Sequence, residues 1–504
     1  MNELKTVKDL VYRADKLYGD GVFVREYRNK SFCDTSFSEF RKMCDSVAVW
    51  IKENFTGNVH IALAGSTSLG YLVSALGIQV SGNVAVPIDT ANSAERIADE
   101  VNRSDSEALF LDGSHIGDAE KISRLCPNVK YFVSISGNYD SMLSLDQILS
   151  QYSGLVPETD VKESDLSAIF FTSGTTGQSK GVMLSHGNLI DNTTCHKDPN
   201  YVGKKMLSVL PVHHVYCFTC DILCSLWNGV TVCVNDSLMR IPRNLKLFQP
   251  EFTTFVPMIA STILSKMEMA VQKTGISEEE AKKQIFGDNF EIIFSGGAYL
   301  SPEVTKGYKK FGIEISQGYG MTECSPRICT GEKNCKNAES VGKIVDRCEV
   351  KIVDGEIWVK SKSVMQGYYK NPEETAKSLT PDGWLMTGDL GHMDSEGYLY
   401  ITGRKKNLII LSNGENVSPE EIENKFAVFA PVKEIVVYAD GETITAQVYP
   451  DPEYTSSDIK AEINKKIEEV NSSFPSAKRI QKVIFRDTEF PKTASRKIIR
   501  AEVI

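Results

Sequence analysis

Hydrophobic and polar residues recur along this chain in two periods, and the switch between them sets the elements. Residues 37–54 carry apolar side chains every third or fourth position and predict an amphipathic helix. Residues 59–64 form a short apolar run, read as a strand, and 70–80 read as a buried helix that ends near Gly82. A strand at 84–88, a helix at 93–102 opened by a serine cap and a strand at 108–111 follow. Beyond a further apolar run at 168–171, strands are expected at 206–210, 230–234, 252–256, 291–294 and 313–317. Helices are expected at 216–227 and 278–286, and Pro257 is read as ending its strand. Alternation of strand and helix predicts an α/β fold with mostly parallel, doubly wound sheets.

From residue 348 the pattern turns β, with short strands at 350–353, 356–359 and 398–401 separated by Asp-Gly and Glu-Gly turns. The charged, glycine-bearing stretch from Gly403 to Asn407 reads as a linker. Beyond it come helices at 419–426 and 457–472 and strands at 434–438, 443–449 and 482–485, a small α+β pattern. The expected division is a large N-terminal domain over 1–402 with a small β-rich part, a hinge over 403–406, and a small mobile C-terminal domain over 407–504.

A chain of 504 residues is too long for a single core. Its 41% hydrophobic and 24% charged residues are ordinary for a globular protein, and a formal charge of −10 argues against nucleic acid as a partner. The N-terminus is polar and no apolar run is long enough to cross a bilayer, so a cytoplasmic protein without stable membrane insertion is expected. Twelve cysteines spread without a framework fit reduced thiols. Cys217, Cys220 and Cys224 fall at i, i+3 and i+7, one face of an α-helix, and read as apolar filler because no second Cys-x-x-Cys completes a metal set.

Chemistry enters at Thr172-Ser173-Gly174-Thr175-Thr176-Gly177-Gln178-Ser179-Lys180. An apolar strand feeds this loop. Its glycines let backbone N–H groups turn onto an anion, its hydroxyls add donors, and Lys180 brings a point charge, which together make a phosphate cradle. The order Ser179-Lys180-Gly181 fails the Walker pattern of P-loop NTPases. Two further strands end in glycine turns, at Gly296-Gly297-Ala298 and at Gln317-Gly318-Tyr319-Gly320-Met321-Thr322-Glu323. Such strand ends are where open α/β sheets bind ligands.

The cradle resembles, almost letter for letter, the phosphate-binding signature of the adenylate-forming (AMP-binding) enzymes. Four more stretches agree: 210–214, the Tyr-Gly-x-Thr-Glu turn at 319–323, the ribose motif at 384–391 and the C-terminal motif at 491–500. The resemblance covers essentially the whole chain and is to the acyl-CoA synthetase, or fatty-acid–CoA ligase, type. It implies ATP-dependent activation of a carboxylic acid to an acyl-adenylate, with Mg²⁺, and transfer to the thiol of coenzyme A with release of AMP and pyrophosphate. It implies ATP contacts from Thr172, Ser173, Gly174, Thr175, Thr176, Lys180, Gly297, Ala298, Gln317, Gly318, Tyr319, Gly320, Thr322, Asp389, Arg404 and Lys497. Lys497, Thr322 and His214 carry catalysis, Glu323 holds the metal, and Lys406 is the hinge on the same basis. The acyl pocket implied comprises His214, Phe255, Val256, Gly296, Gly297 and Met321. Apolar candidates in that set, and no recognisable charged anchor, favour a medium- or long-chain fatty acid. His213, Arg496 and an extra residue within 402–423 depart from the commoner pattern and resemble long-chain members. A phosphopantetheinyl carrier protein as acceptor remains an alternative, as does a non-catalytic nucleotide-binding regulator.

Overall fold

Six parallel strands that are short and apolar, as strands covered on both faces must be, begin the architecture; Val84–Ile88 is buried at all five positions. The computed structural model describes residues 4–139, 142–172, 179–195, 199–331, 337–411, 416–441, 443–492 and 498–503. In the first sheet Leu166–Thr172, Val84–Ile88, His60–Ala64, Ser106–Leu111, Tyr131–Ser134 and Leu143–Ser144 run parallel in that spatial order. Lys180–Ser185 and Gly367–Tyr368 extend it antiparallel. In the second, Glu314–Gly320, Ile292–Ser295, Phe252–Phe255, Lys205–Ser208, Thr231–Val234 and Val22–Arg28 run parallel in that order. Arg327–Thr330 and Lys343–Ile344 flank one edge and Ser31–Ser36 the other, all antiparallel.

One hydrophobic core runs through both sheets. Helices Phe37–Asn54, opened by a Ser36/Glu39 capping box, and Leu69–Val80, nearly all buried, lie within it. Phe170 of the first sheet meets Phe218 of the second layer with ring centroids 5.7 Å apart. A four-stranded antiparallel sheet follows, formed by Cys348–Val353, Glu356–Ser361, Leu385–Met393 and Leu399–Arg404. The last residues build a separate small core around Val437, Ile444, Ile463 and Phe474, on the strands Val432–Asp440, Thr443–Pro450 and Lys482–Phe485 and the helix Ile459–Ser472. The α/β class, with a large N-terminal sheet domain and a smaller C-terminal one, is as the patterning predicts.

Three differences have physical reasons. Pro257 does not merely end a strand; it opens the helix Pro257–Thr274, since its missing N–H is one that a first helical turn leaves unpaired. Leu385–Met393 is a strand although two glycines interrupt its apolar pattern. Residues 216–227 are not one α-helix: Tyr216–Leu223 is a π-helix, continued by the α-helix Cys224–Asn228. Its wider turn separates the three cysteines. Cys217 lies against Ser208 and Asp221, while Cys220 and Cys224 face a cavity. Among the described residues no helix is long and apolar enough to cross a membrane.

Candidate active site

The C-terminal ends of the parallel strands in the second sheet meet the end of Leu166–Thr172 around a cavity of about 1290 Å³. The turn after Glu314–Gly320 dominates its wall. Gly320 lies where an added Cβ would come 1.9 Å from the carbonyl oxygen of Pro326, so only glycine lets the two strands close here. That turn sets Gly318, Tyr319, Gly320, Met321, Thr322 and Glu323 on the wall, with Gln317 beside them. Gly297 adopts φ +84° and, with Gly296, brings the neighbouring strand end to the same cavity. His214, Val256, Thr172 and Arg404 complete the predicted residues found there.

Tyr319 and Asp389 form a pair that the sequence does not announce. The Tyr319 hydroxyl donates to Asp389 Oδ2 at 2.6 Å, and Arg404 Nε meets Oδ1 at 2.8 Å. Burial pushes the Asp389 carboxyl up, and the Arg404 charge opposes it. Tyr368, also unforeseen, donates its hydroxyl to Glu323 Oε1 at 2.7 Å, while its ring lies 5.1 Å from Lys180 Nζ. Lys180 itself is ion-paired with Glu374 and lies off the cavity wall. His213 and His214 pack with ring centroids 4.5 Å apart. Burial, and then the His214 charge, push the His213 imidazole down to about 4, so it is neutral at pH 7; its Nε2 approaches Asp89 at 3.4 Å without hydrogen-bond geometry.

Other expectations need correcting. Phe255 is fully buried in the core, and Phe252, Thr254 and Val256 line the cavity instead, because side chains on a strand alternate between faces. Ala298 is exposed beside the turn rather than on the wall, and Asp389 stands behind Tyr319 and Arg404. Arg327, to which the sequence analysis gives no role, lines the cavity. Lys406 is exposed on the short turn Lys405–Asn407. Ser173, Gly174, Thr175, Thr176 and Lys497 lie outside the described residues.

Glu100, from the helix Ala94–Arg103, reaches the same wall and accepts the Ser179 hydroxyl at 3.1 Å. Burial pushes its carboxyl up to about 7. The fold therefore favours the neutral form: this contribution to stability is complete below the ordinary carboxyl range and is lost as pH rises through about 7. Glu100→Gln keeps the shape and removes the titration. Between about pH 5 and pH 8 the wild type should lose on the order of 1–3 kcal/mol that the variant keeps. Thermal unfolding at both pH values checks this; equal slopes would refute it. Asp221, also raised to about 7 by burial, leaves a residual slope in both proteins.

The chain matches the AMP-binding enzyme family over residues 13–369 and the AMP-binding enzyme C-terminal domain over 406–504. It is 26% identical over 499 residues to the long-chain-fatty-acid–CoA ligase FadD15 of Mycobacterium bovis, covering 85% of this chain and 82% of that protein. It is 27% identical over 471 residues to 4-coumarate–CoA ligase 1 of Arabidopsis thaliana, covering 86% and 80%. The fold superimposes with a TM-score of 0.85 on the anthranilate CoA ligase AuaEII, crystallised with anthranoyl-AMP, at 19% identity over 99% of this chain and 96% of that one. With more than half its length matched, the chain belongs to the AMP-binding enzyme family and is an adenylate-forming, AMP-forming ligase.

Proposed function

We propose that the chain activates a medium- or long-chain carboxylic acid with Mg·ATP and passes the acyl group to coenzyme A. In the first step a carboxylate oxygen attacks the α-phosphorus of ATP, the new O–P bond forms and pyrophosphate leaves. In the second the thiol sulfur attacks the acyl carbon, the C–S bond forms, AMP leaves and the thiol proton is released. An anion attacks a polyanion in the first step, so positioning and countercharge are what a protein must supply. The observation that carries the reading is that Thr172, His214, Thr322, Glu323 and Arg404, distant in sequence, border one cavity.

In this reading the Thr322 hydroxyl donates to an α-phosphate oxygen and His214 orients the attacking carboxylate. Asp389 accepts ribose hydroxyls on the lone pairs that Tyr319 and Arg404 leave free. Lys180 leaves Glu374 for the β- and γ-phosphates, an exchange of one anion for another. Glu323 fits a magnesium ion: it is a buried carboxylate at the wall, with one oxygen held by Tyr368 and the other without a hydrogen-bond partner among the described residues. Among those residues no three His, Cys, Asp or Glu side chains gather as a metal cage. That agrees with an ion that takes one or two carboxylates and completes its shell from phosphates and water. The metal would neutralise phosphate charge. Lys497 would bridge carboxylate and α-phosphate, and residues 407–504 would turn about Lys406 between the two steps.

Acid-dependent ATP–pyrophosphate exchange, scanned from acetate to palmitate with aromatic and amino acids included, tests the first step. Coenzyme A added to the same wells tests the second. Exchange with a subset of acids and CoA-dependent AMP release are the expected results. Exchange without a response to CoA would move the acceptor to a carrier protein, and no exchange despite ATP binding would overturn adenylation.

A further inference from the structure

Four cationic side chains on the cavity wall, Arg96, Lys266, Lys343 and Arg327, have no part in the chemistry above. Arg327 begins the strand Arg327–Thr330 opposite Gly320, and the Met321 N–H donates to the Pro326 carbonyl at 3.0 Å, so it is fixed to the same turn as Thr322 and Glu323. Its side chain reaches the helices His186–Thr194 and Cys224–Asn228. There Nη2 donates to Cys224 Sγ at 3.4 Å and to the Asn192 carbonyl oxygen, and Nε donates to Asn192 Oδ1 at 3.4 Å. Every one of these acceptors is neutral.

Among the described residues Arg327 forms no ion pair. Asp191, on the adjoining helix, is engaged by Arg347 at 3.2 Å and by the hydroxyls of Ser361 and Ser363 at 3.2 and 2.7 Å. Glu323 is held by Tyr368, and Asp346, which shares the wall, is exposed to solvent. Cys195, Cys220 and Cys224 line the cavity with Arg327, and burial pushes each thiol up, so they are uncharged at pH 7. A guanidinium never deprotonates in a protein, and enclosing one without a counterion is unfavourable unless the site's occupant supplies it.

We propose that Arg327 receives a second carboxylate at the far end of the acid: the substrate is a dicarboxylic acid activated at one end. This rests on the adenylation reading and names its substrate class. A carboxylate offers this guanidinium the countercharge its neutral partners lack, at the Nη1 side that they leave free. Val256, Ile259 and Met321 on the same wall suit a hydrocarbon spacer, and a distal carboxylate gives Arg327 a partner beside them.

The test is ATP–pyrophosphate exchange by the purified full chain with two ladders, straight-chain monocarboxylic acids and α,ω-dicarboxylic acids of equal carbon number. At its optimal length the dicarboxylic acid should exceed its monocarboxylic partner by about 10-fold or more in kcat/KM, because the monoacid leaves the half-buried cation without a counterion. Arg327→Met should bring that ratio toward one, chiefly through KM, and Arg327→Lys should fall between. If Arg327→Met does not fold, the wild-type ratio and the Lys variant decide. A wild-type preference for monoacids at every length, or a ratio unchanged in a folded variant, overturns the dicarboxylate proposal and leaves adenylation standing. Absence of exchange with either ladder, despite ATP binding, overturns both.

Discussion

Lys497→Ala should lower acid-dependent ATP–pyrophosphate exchange by about 10²- to 10⁴-fold while ATP affinity stays within roughly a few-fold of wild type. The asymmetry follows from when the charge is needed. ATP in the ground state is met by other groups, the cradle hydroxyls and Lys180 among those proposed, so losing one lysine costs little binding. Charge accumulates between the carboxylate and the α-phosphate only as the bond forms, and a mobile ammonium that reaches both oxygens acts there alone. Lys497→Arg should recover little of the rate, because a planar fork cannot take the place of a compact point charge. A second readout separates this from misfolding. If the C-terminal domain turns between steps, as the resemblance implies, the lysine is withdrawn during thioester formation. The variant supplied with preformed acyl-adenylate and coenzyme A should then release AMP at near the wild-type rate. Isothermal titration with ATP and exchange in the same preparation measure both halves. Undiminished exchange would remove Lys497 from the mechanism.

The motif residues were legible for a local reason. A turn such as 318–323 has to contain glycine where two strands nearly touch, as at Gly320, and the polar residues beside it are then presented to the strand end. What the sequence hid is what depends on partners far along the chain. Lys180 meets Glu374, 194 residues away, so a residue expected at phosphate is ion-paired with a distant carboxylate. Tyr368, which orients Glu323 and underlies Lys180, carries no local mark of that role. Phe255 and Thr254 show the limit in another form: both are on one strand, and only the sheet's packing says which faces the cavity. Arg327 follows Pro326, four residues past the Glu323 that ends a recognisable motif. A single cation at the start of a strand reads as surface until the fold encloses it.

Glu323 and Tyr368 should separate under substitution. Glu323→Gln keeps the shape and one hydrogen-bond acceptor for Tyr368 but removes the charge that would fix the metal, and it should lower exchange by about 10²- to 10³-fold with a higher magnesium requirement. Tyr368→Phe leaves the carboxylate charged and removes only the 2.7 Å hydrogen bond that aims it. A hydrogen bond to a charged group contributes about 1.5–3 kcal/mol, so the loss here should be about ten- to a hundred-fold. It should appear at low magnesium and shrink as magnesium is raised, since the ion itself can organise an intact carboxylate. Exchange measured over a magnesium series distinguishes the two. If Glu323→Gln proves no worse than Tyr368→Phe at low magnesium, the carboxylate has only a structural part, holding Tyr368 beneath Lys180, and the metal must be bound by other groups.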